Sequence, residues 1–169
     1  MHALMQDAVV LVTGGTQGLG RAIALAAARE GASGVAIVGR NAARAEEVSA
    51  AIREAGAEPL AIVADLSVEG EAERVVAETI ERFGRVDSLV NAAGATTRGT
   101  LLDTSRALLN EHLALNLTAP FMTMQGAVAD MKRRGAPGTI LNIITMSMHG
   151  GQPYLAPYVA SKAGLAGLT

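Results

Sequence analysis

The stretch Thr13-Gly14-Gly15-Thr16-Gln17-Gly18-Leu19-Gly20 decides which fold this sequence predicts. It follows the apolar run of residues 8–12, which is typical of a buried parallel strand, and it precedes residues 21–30, whose pattern predicts a helix. A strand, a glycine turn and a helix in this order suit a dinucleotide, because the first N–H groups of the helix and its partial positive charge favour a phosphate.

Three glycines of this turn have separate predicted roles. Gly14 allows a sharp turn, Gly18 allows backbone N–H groups to approach a pyrophosphate, and Gly20 allows the helix to pack closely on the strand. The spacing Gly-x-x-x-Gly-x-Gly differs from the common Gly-x-Gly-x-x-Gly fingerprint and is not that of a P-loop, so a purely structural turn is the alternative. The predicted cofactor-binding residues of the turn are Thr13, Gly14, Thr16, Gln17, Gly18, Leu19 and Gly20.

Composition restricts the class of protein. The chain has 169 residues, which is the size of one domain, and we expect residues 1–169 to form a single domain. Half of the residues are hydrophobic but only 2% are aromatic, so the core must consist of small and aliphatic side chains. With 14 basic and 16 acidic residues nothing indicates nucleic-acid binding. Without cysteine there is neither a disulfide nor a thiolate metal site, and we expect no metal.

The N-terminus and the apolar runs bear on the location of the protein. Residues 1–7 lack a basic segment followed by an apolar core, so we expect no signal peptide. No apolar run approaches the length of a membrane span. We therefore expect a cytoplasmic protein that does not bind a membrane.

Predicted strands alternate with predicted helices along the chain. The strands are expected at residues 9–12, 35–38, 60–63, 88–91 and 139–144, and the helices at residues 21–30, 42–55, 69–83 and 104–134. Pro120 should kink the last of these helices or mark its weakest turn. This alternation predicts right-handed βαβ crossovers and therefore an α/β fold, with a parallel sheet between two layers of helices.

Tyr158 and Lys162 are four residues apart in the segment Tyr-Val-Ala-Ser-Lys, and helix-forming residues follow them. On a helix this spacing places both side chains on one face. A phenol is a poor acid or base at neutral pH, but a nearby ammonium stabilises the phenolate, so such a pair can donate and accept a proton. The alternative is a buried tyrosine beside a surface lysine.

The order of these motifs along one α/β pattern resembles the short-chain dehydrogenases/reductases. The resemblance rests on residues 13–20, on Asn91-Ala92-Ala93-Gly94, on Asn116 and on Tyr158 with Lys162, and it covers almost the whole chain. It implies a Rossmann-type, doubly wound parallel sheet in a three-layer α/β/α arrangement and a nicotinamide cofactor. The implied reaction is hydride transfer between that cofactor and a small-molecule carbonyl or secondary alcohol.

The resemblance also implies roles for single residues. Tyr158 corresponds to the general acid and base, and Lys162 to the residue that holds the nicotinamide ribose and assists the tyrosine. Asn116 corresponds to the residue that positions water in a proton relay. Tyr158 and Lys162 are therefore predicted cofactor-binding residues as well as catalytic ones.

Two further segments are expected in the cofactor cleft by the same resemblance. Residues 91–94 read Asn-Ala-Ala-Gly where the family usually has Asn-Asn-Ala-Gly, and Asp65-Leu66 corresponds to the family's adenine contact. The predicted cofactor-binding residues of these segments are Asp65, Leu66, Asn91, Ala92, Ala93 and Gly94.

The family's fourth catalytic residue is a serine on the strand and loop before the tyrosine. Counting back thirteen positions from Tyr158, as the family pattern does, leads to Thr145. A threonine hydroxyl can donate to a substrate carbonyl, although its methyl group stiffens the side chain and crowds the site. Ser147 is the alternative, because alternation along a strand places it on the same side as Thr145.

The end of the second strand bears on the form of the cofactor. In this fold an acidic residue there holds the adenosine ribose hydroxyls, whereas an arginine nearby accommodates a 2′-phosphate. The sequence has Gly39-Arg40-Asn41 and no carboxylate, and a guanidinium can bind phosphate oxygens through two hydrogen bonds. We therefore predict cofactor contacts from Arg40 and Asn41 and a preference for NADP(H), with NAD(H) as the alternative. Pairing of Arg40 with an acidic neighbour is the competing interpretation.

The chain stops within the helix that carries Tyr158 and Lys162. By the resemblance, further strands and a substrate-covering loop follow in the family, so we expect the C-terminal strands to be missing and the chain to be a fragment of a longer enzyme. A non-catalytic dinucleotide-binding module or an inactive fragment is therefore the alternative function. The resemblance also implies a homo-oligomer, either a dimer or a tetramer, for a full-length protein.

Overall fold

Five parallel strands form one sheet in the part of the chain that the structure describes. The computed structural model describes residues 4–169; residues 1–3, which belong to the predicted domain and to the N-terminal segment considered above, lie outside the described residues. The strands are β1 (Val9–Thr13), β2 (Gly34–Gly39), β3 (Glu58–Val63), β4 (Ser88–Asn91) and β5 (Thr139–Asn142). Their order across the sheet is β3-β2-β1-β4-β5, and every neighbouring pair is parallel.

Helices connect the strands and follow the last one. They are α1 (Gly18–Arg29), α2 (Ala42–Glu54), α3 (Glu71–Phe83), α4 (Arg106–Leu113), a π-helical turn (Ala114–Thr118), α5 (Ala119–Arg134), a 3₁₀ turn (Met146–His149) and α6 (Ala156–Ala166). Helix α6 packs against α4 and the π-helical turn. Among residues 4–169 no helix is both long enough and apolar enough to cross a membrane.

Each face of the sheet has its own hydrophobic core. Val10 and Val12 of β1 point to one face and Leu11 points to the other, and all three are fully buried. The first core joins the sheet to α1 and α2, and the second joins it to α3 and α5. The predicted three-layer, doubly wound α/β fold is therefore confirmed. Its strands are apolar on both sides because both faces are covered.

The helix predicted at residues 104–134 is divided into two by the π-helical turn. The N–H of Ala119 donates to the carbonyl of Ala114, five residues earlier. Pro120 has no N–H, so it cannot complete the α-helical hydrogen bond to the carbonyl of Asn116. The irregular turn ends at Thr118, two residues before Pro120, close to the position where the sequence predicted a kink or a weak turn.

Several predicted boundaries differ from those observed, among them the start of α1 and the end of β5. Helix α1 begins at Gly18 and not at residue 21, because the glycine turn itself supplies the first helical residues. Strand β5 ends at Asn142 and not at residue 144, because its partner β4 ends at Asn91, opposite Asn142. The N–H of Ile143 makes one last hydrogen bond, to the carbonyl of Asn91, and the chain then leaves the sheet.

Asp130 ties the end of α5 to the start of β4. Its carboxylate is almost fully buried and accepts hydrogen bonds from the N–H of Val86 at 3.0 Å, from Arg134 Nε at 2.9 Å and from Arg133. Arg134 in turn pairs with Asp87 at 3.2 Å. Burial alone would raise the pKa of Asp130, but these hydrogen bonds outweigh it and lower the pKa below its usual range.

We expect Asp130→Asn to lower the free energy of unfolding at pH 7 by about 3 kcal/mol, because it leaves the arginines without their buried partner. Since the pKa of Asp130 is lower in the folded than in the unfolded protein, its contribution is complete above the ordinary aspartate pKa of about 4 and is lost as the pH falls through the folded value. Urea denaturation at several pH values measures both effects.

Glu81→Gln is the matched control, because Glu81 is exposed on α3 and forms no ion pair among the described residues. This variant should unfold like the wild type. A wild type and an Asp130→Asn variant of equal stability at pH 7 would contradict the assigned role of Asp130.

Candidate functional site

The glycine turn between β1 and α1 is in direct contact with the backbone that follows β4. Gly14 and Gly18 have positive φ angles of 67° and 54°, which favour glycine. A Cβ atom on Gly14 would lie 2.8 Å from the backbone nitrogen of Ala93, and one on Gly20 would overlap the carbonyl oxygen of Gly14. Side chains are therefore excluded at Gly14 and Gly20, and the backbones of the glycine turn and of the loop after β4 meet at the carboxyl edge of the sheet.

The N-terminus of α1 faces open space. Gln17 is the N-cap residue, its backbone is extended, and its side chain makes no capping hydrogen bond. A Cβ atom built on Gly18 would have no atom within 4 Å. The first-turn N–H groups therefore receive no side-chain cap and border a space that a phosphate can occupy. This arrangement fits a dinucleotide.

A cleft of about 270 Å³ lies beside this helix terminus. It is formed by the glycine turn, by the ends of β2 and β3 and by the loop after β4, so it lies where ligands bind to parallel α/β sheets. The predicted cofactor-binding residues that line it are Gly14, Thr16, Gln17, Gly18, Leu19, Gly20, Arg40, Asp65, Leu66, Ala92, Ala93 and Gly94.

Thr13 lies behind the wall of the cleft and not on its surface. Its side chain is buried, and Oγ1 accepts hydrogen bonds from the N–H groups of Ala92 and Ala93, each at 3.2 Å. The threonine at the end of β1 therefore holds the loop after β4 against the glycine turn.

Asn91 and Asn41 also lie outside the cleft lining. Asn91 is buried, donates from Nδ2 to Asn142 at 3.0 Å, and accepts from the hydroxyl of Thr123 at 2.8 Å. Asn41 is the N-cap of α2 and accepts from the N–H of Arg44 at 2.9 Å. Asn91 therefore joins β4 to β5 and α5, and Asn41 caps α2.

Arg40 and Asp65 form an ion pair at the rim of the cleft, with Nη1 and Oδ2 3.7 Å apart. Arg40 is three-quarters exposed. The pKa of Asp65 is lowered, mainly by hydrogen bonds from the hydroxyl and backbone N–H of Ser67, and to a smaller extent by Arg40. The acidic neighbour of the competing interpretation is therefore Asp65, and its ion pair with Arg40 is present in the structure.

Helix α6 brings Lys162 beside Gly94 and Ile143, two residues that line the cleft, while neither Lys162 nor Tyr158 is itself among the lining residues. Lys162 is buried, and its Nζ donates to the carbonyl of Ile143 at 2.7 Å. Ile143 lines the cleft. Burial lowers the pKa of Lys162. Tyr158 lies one helical turn before Lys162 and is half-buried. Because Lys162 is buried, the alternative of a buried tyrosine beside a surface lysine does not describe this pair.

Asn116, in the π-helical turn, clamps the loop after β4. Its Nδ2 donates to the carbonyl of Ala95 at 2.9 Å and to the hydroxyl of Ser161 at 3.0 Å, and its Oδ1 accepts from the N–H of Ala95 at 3.0 Å. Both Nδ2 hydrogens are therefore used within the protein. A water positioned by this residue would have to bind Oδ1 or the backbone carbonyl.

Gly94 brings Asn116 and Lys162 together. A Cβ atom on Gly94 would lie 3.1 Å from Asn116 Oδ1 and 3.5 Å from Lys162 Nζ. A Cβ atom at residue 94 would thus be in tight contact with Asn116 and in ordinary contact with Lys162. Asn116 and Lys162, which are far apart in the sequence, thus meet at one point of the cleft.

The two candidate hydroxyl residues share one turn. Thr145 is the N-cap of the 3₁₀ turn, and its Oγ1 accepts the N–H of Ser147 at 3.2 Å. Both residues are half-buried. The contact orients the threonine oxygen and leaves its O–H free to donate to another group.

Sequence reasoning missed three residues that support the site. Ser161 donates to the carbonyl of Tyr158 at 2.8 Å, and its position inside Tyr-Val-Ala-Ser-Lys was the available signal. Arg44 hydrogen-bonds Gln17 across the rim. Buried His112 accepts the N–H of Thr97 at 3.1 Å on Nε2, and no local pattern indicates this contact.

Comparisons with known proteins agree with this geometry. The family model described as short chain dehydrogenase matches residues 8–169. An uncharacterized oxidoreductase of Thermotoga maritima is 37% identical over 97% of this chain and 64% of its own length. An L-rhamnose 1-dehydrogenase (NAD(P)+) of Azotobacter vinelandii is 36% identical over 98% of this chain and 66% of its own length.

A solved structure has the same fold. The crystal structure of NAD+-bound xylitol dehydrogenase superimposes with a TM-score of 0.91 at 29% identity and covers 98% of this chain and 64% of that one. The present chain thus spans slightly less than two thirds of the length of these relatives. Because the family model matches nearly all of its residues, the chain belongs to the short-chain dehydrogenase family.

Proposed function

We propose that this protein is a nicotinamide-dinucleotide-dependent oxidoreductase that prefers NADP(H) to NAD(H) and interconverts a carbonyl and a secondary alcohol. The observation that supports this most is the position of Lys162. Its buried ammonium lies beside Gly94 and Ile143 of the cleft lining, one helical turn from Tyr158. The uncapped terminus of α1 borders the same cleft. The cleft therefore has a place for phosphates, and a proton-transferring pair lies beside its lining.

Each residue of the site has one task in the proposed reaction. Tyr158 transfers a proton between its phenol oxygen and the substrate oxygen, and the Lys162 ammonium stabilises the phenolate. Thr145 donates its O–H to the substrate oxygen and steadies the charge that develops there. Asn116 holds the loop that carries Gly94 in place. A bound nicotinamide dinucleotide would supply or accept the hydride.

Helix α5 supports the further proposal of self-association. Phe121 and Val128 are seven positions apart on this helix, so they lie on the same face, and both are exposed. Exposed apolar side chains on one side of a helix can pack against another molecule. We propose that a second copy of the protein contacts this face.

We expect Tyr158→Phe to reduce turnover on a panel of ketones and secondary alcohols by a factor of about 10²–10⁴, because the proton donor is lost. Binding of NADPH, measured by calorimetric titration, should change by less than about twofold, since the ring remains. Tyr154→Phe removes the other phenol of the chain and should keep most of the turnover. Wild-type protein that binds neither cofactor, or Tyr158→Phe with full turnover, would contradict the proposed function.

Matched substitutions show whether Thr145 or Ser147 supplies the hydroxyl that binds the substrate oxygen. We expect Thr145→Val to reduce turnover by a factor of about 10²–10³, because it removes a donor to the substrate oxygen and keeps the shape of the side chain. Thr145→Ser keeps both the hydroxyl and the cap of the 3₁₀ turn and should remain active, as should Ser147→Ala. Loss of turnover in Ser147→Ala with active Thr145→Val would assign the role to Ser147.

Gly94→Ala tests the crowding around the loop after β4. The new methyl group would lie 3.1 Å from Asn116 Oδ1, so Asn116 or the loop must shift, and we expect a loss of about tenfold in NADPH affinity. Gly167→Ala is the control, because its Cβ would meet its nearest neighbour at 3.4 Å, an ordinary contact. Titration and urea denaturation of both variants separate a local effect on binding from a general loss of stability. Unchanged NADPH affinity in Gly94→Ala would show that the loop tolerates a side chain there.

A further inference from the structure

We infer that Arg44, in the first turn of α2, is a second cation for the 2′-phosphate of NADP(H) and determines the preference for that cofactor together with Arg40. This inference rests on the proposed function. The observation behind it is the hydrogen bond that Arg44 Nη1 donates to Gln17 Oε1. Because Gln17 lines the cleft, this contact holds the guanidinium of Arg44 at the cleft rim.

The charge of Arg40 is already shared. Asp65 lies 3.7 Å from Arg40, and its lowered pKa keeps it ionised at neutral pH. A phosphate monoester carries a charge of about −1.5 to −2 at pH 7. A 2′-phosphate beside Arg40 would therefore also meet the negative charge of Asp65, so one arginine gives little net attraction. A second cation is needed to make this rim electropositive.

The positive charge of Arg44, unlike that of Arg40, is not paired with a carboxylate. Among residues 4–169 it forms no ion pair, and its partner Gln17 is a neutral amide. The acidic residue one turn further along α2, Glu47, pairs with Arg21 at 3.6 Å. The first turn of α2 contains no acidic residue, so nothing there neutralises the guanidinium. Its positive charge is available to a ligand.

The backbone holds Arg44 in a defined position. The side chain of Asn41 accepts the N–H of Arg44 at 2.9 Å, which caps α2 and orients its first turn. Arg40 and Arg44 lie on either side of this cap, one before the helix and one within it. A phosphate between them can accept hydrogen bonds from both guanidinium groups. Such charge-assisted hydrogen bonds are stronger than neutral ones.

Calorimetric titration of the wild type and of four variants with NADPH and with NADH tests the inference. Arg44→Gln removes the charge, and we expect NADPH affinity to fall about tenfold or more while NADH affinity changes less than about twofold. Arg40→Gln should act in the same direction. Gln17→Glu keeps the shape of Gln17 but places a carboxylate beside both Arg44 and the phosphate space at α1, so it should weaken the binding of both cofactors, and NADPH more than NADH. Arg53→Gln, in the last turn of α2, is the control and should match the wild type.

The outcomes separate this inference from the proposed function. Selective loss of NADPH affinity in Arg44→Gln, with smaller loss at higher salt concentration, supports the inference. Equal losses for both cofactors, or no loss, would overturn it and leave the oxidoreductase proposal intact. A wild type that prefers NADH would overturn the inference and the proposed preference for NADP(H), and would leave the oxidoreductase proposal intact. A wild type that binds neither cofactor would overturn the inference and the proposed function together.

Discussion

The contact between two backbones at the carboxyl edge of the sheet governs the rest of the structure. Gly14 lies against the backbone of Ala93, and Gly20 lies against the carbonyl of Gly14. Such contacts are closer than any side chain allows, so the end of β1, the start of α1 and the loop after β4 meet at one point. Thr13 holds that loop through two hydrogen bonds to its N–H groups. The open terminus of α1 and the cleft beside it follow from this arrangement.

Buried polar groups then attach α6 to the cleft. A buried amide or ammonium is costly unless its hydrogen bonds are satisfied, and here Asn116, Ser161 and Lys162 bond to the backbone or to one another. Asn116 lies in the π-helical turn, which ends two residues before Pro120 and interrupts the α-helical hydrogen-bond pattern. Asn116 thus links this irregular turn to α6 through Ser161, the residue before Lys162.

Much of this arrangement could be predicted from local pattern. The five strands and the covering of both faces of the sheet follow from the apolar runs, and the lining residues between Gly14 and Gly20 follow from the glycine turn. The lining residues after β3 and β4 were expected only from the resemblance to the family. The division of residues 104–134 was indicated only by Pro120, because a π-helical turn has no clear sequence signal of its own. The pairing of Arg40 with Asp65 joins residues from two different strand ends, so spacing alone left it as one of two interpretations.

By itself, the sequence determined the type and order of the elements and the residues available for chemistry, since apolar periodicity, glycines and prolines act over a few neighbouring positions. Only the tertiary structure decided which polar groups meet. Thr13 and Asn91 support the cleft from behind, while Arg44 reaches its rim. Their roles depend on distances between elements that are remote along the chain, and packing of the sheet and its two helical layers sets those distances.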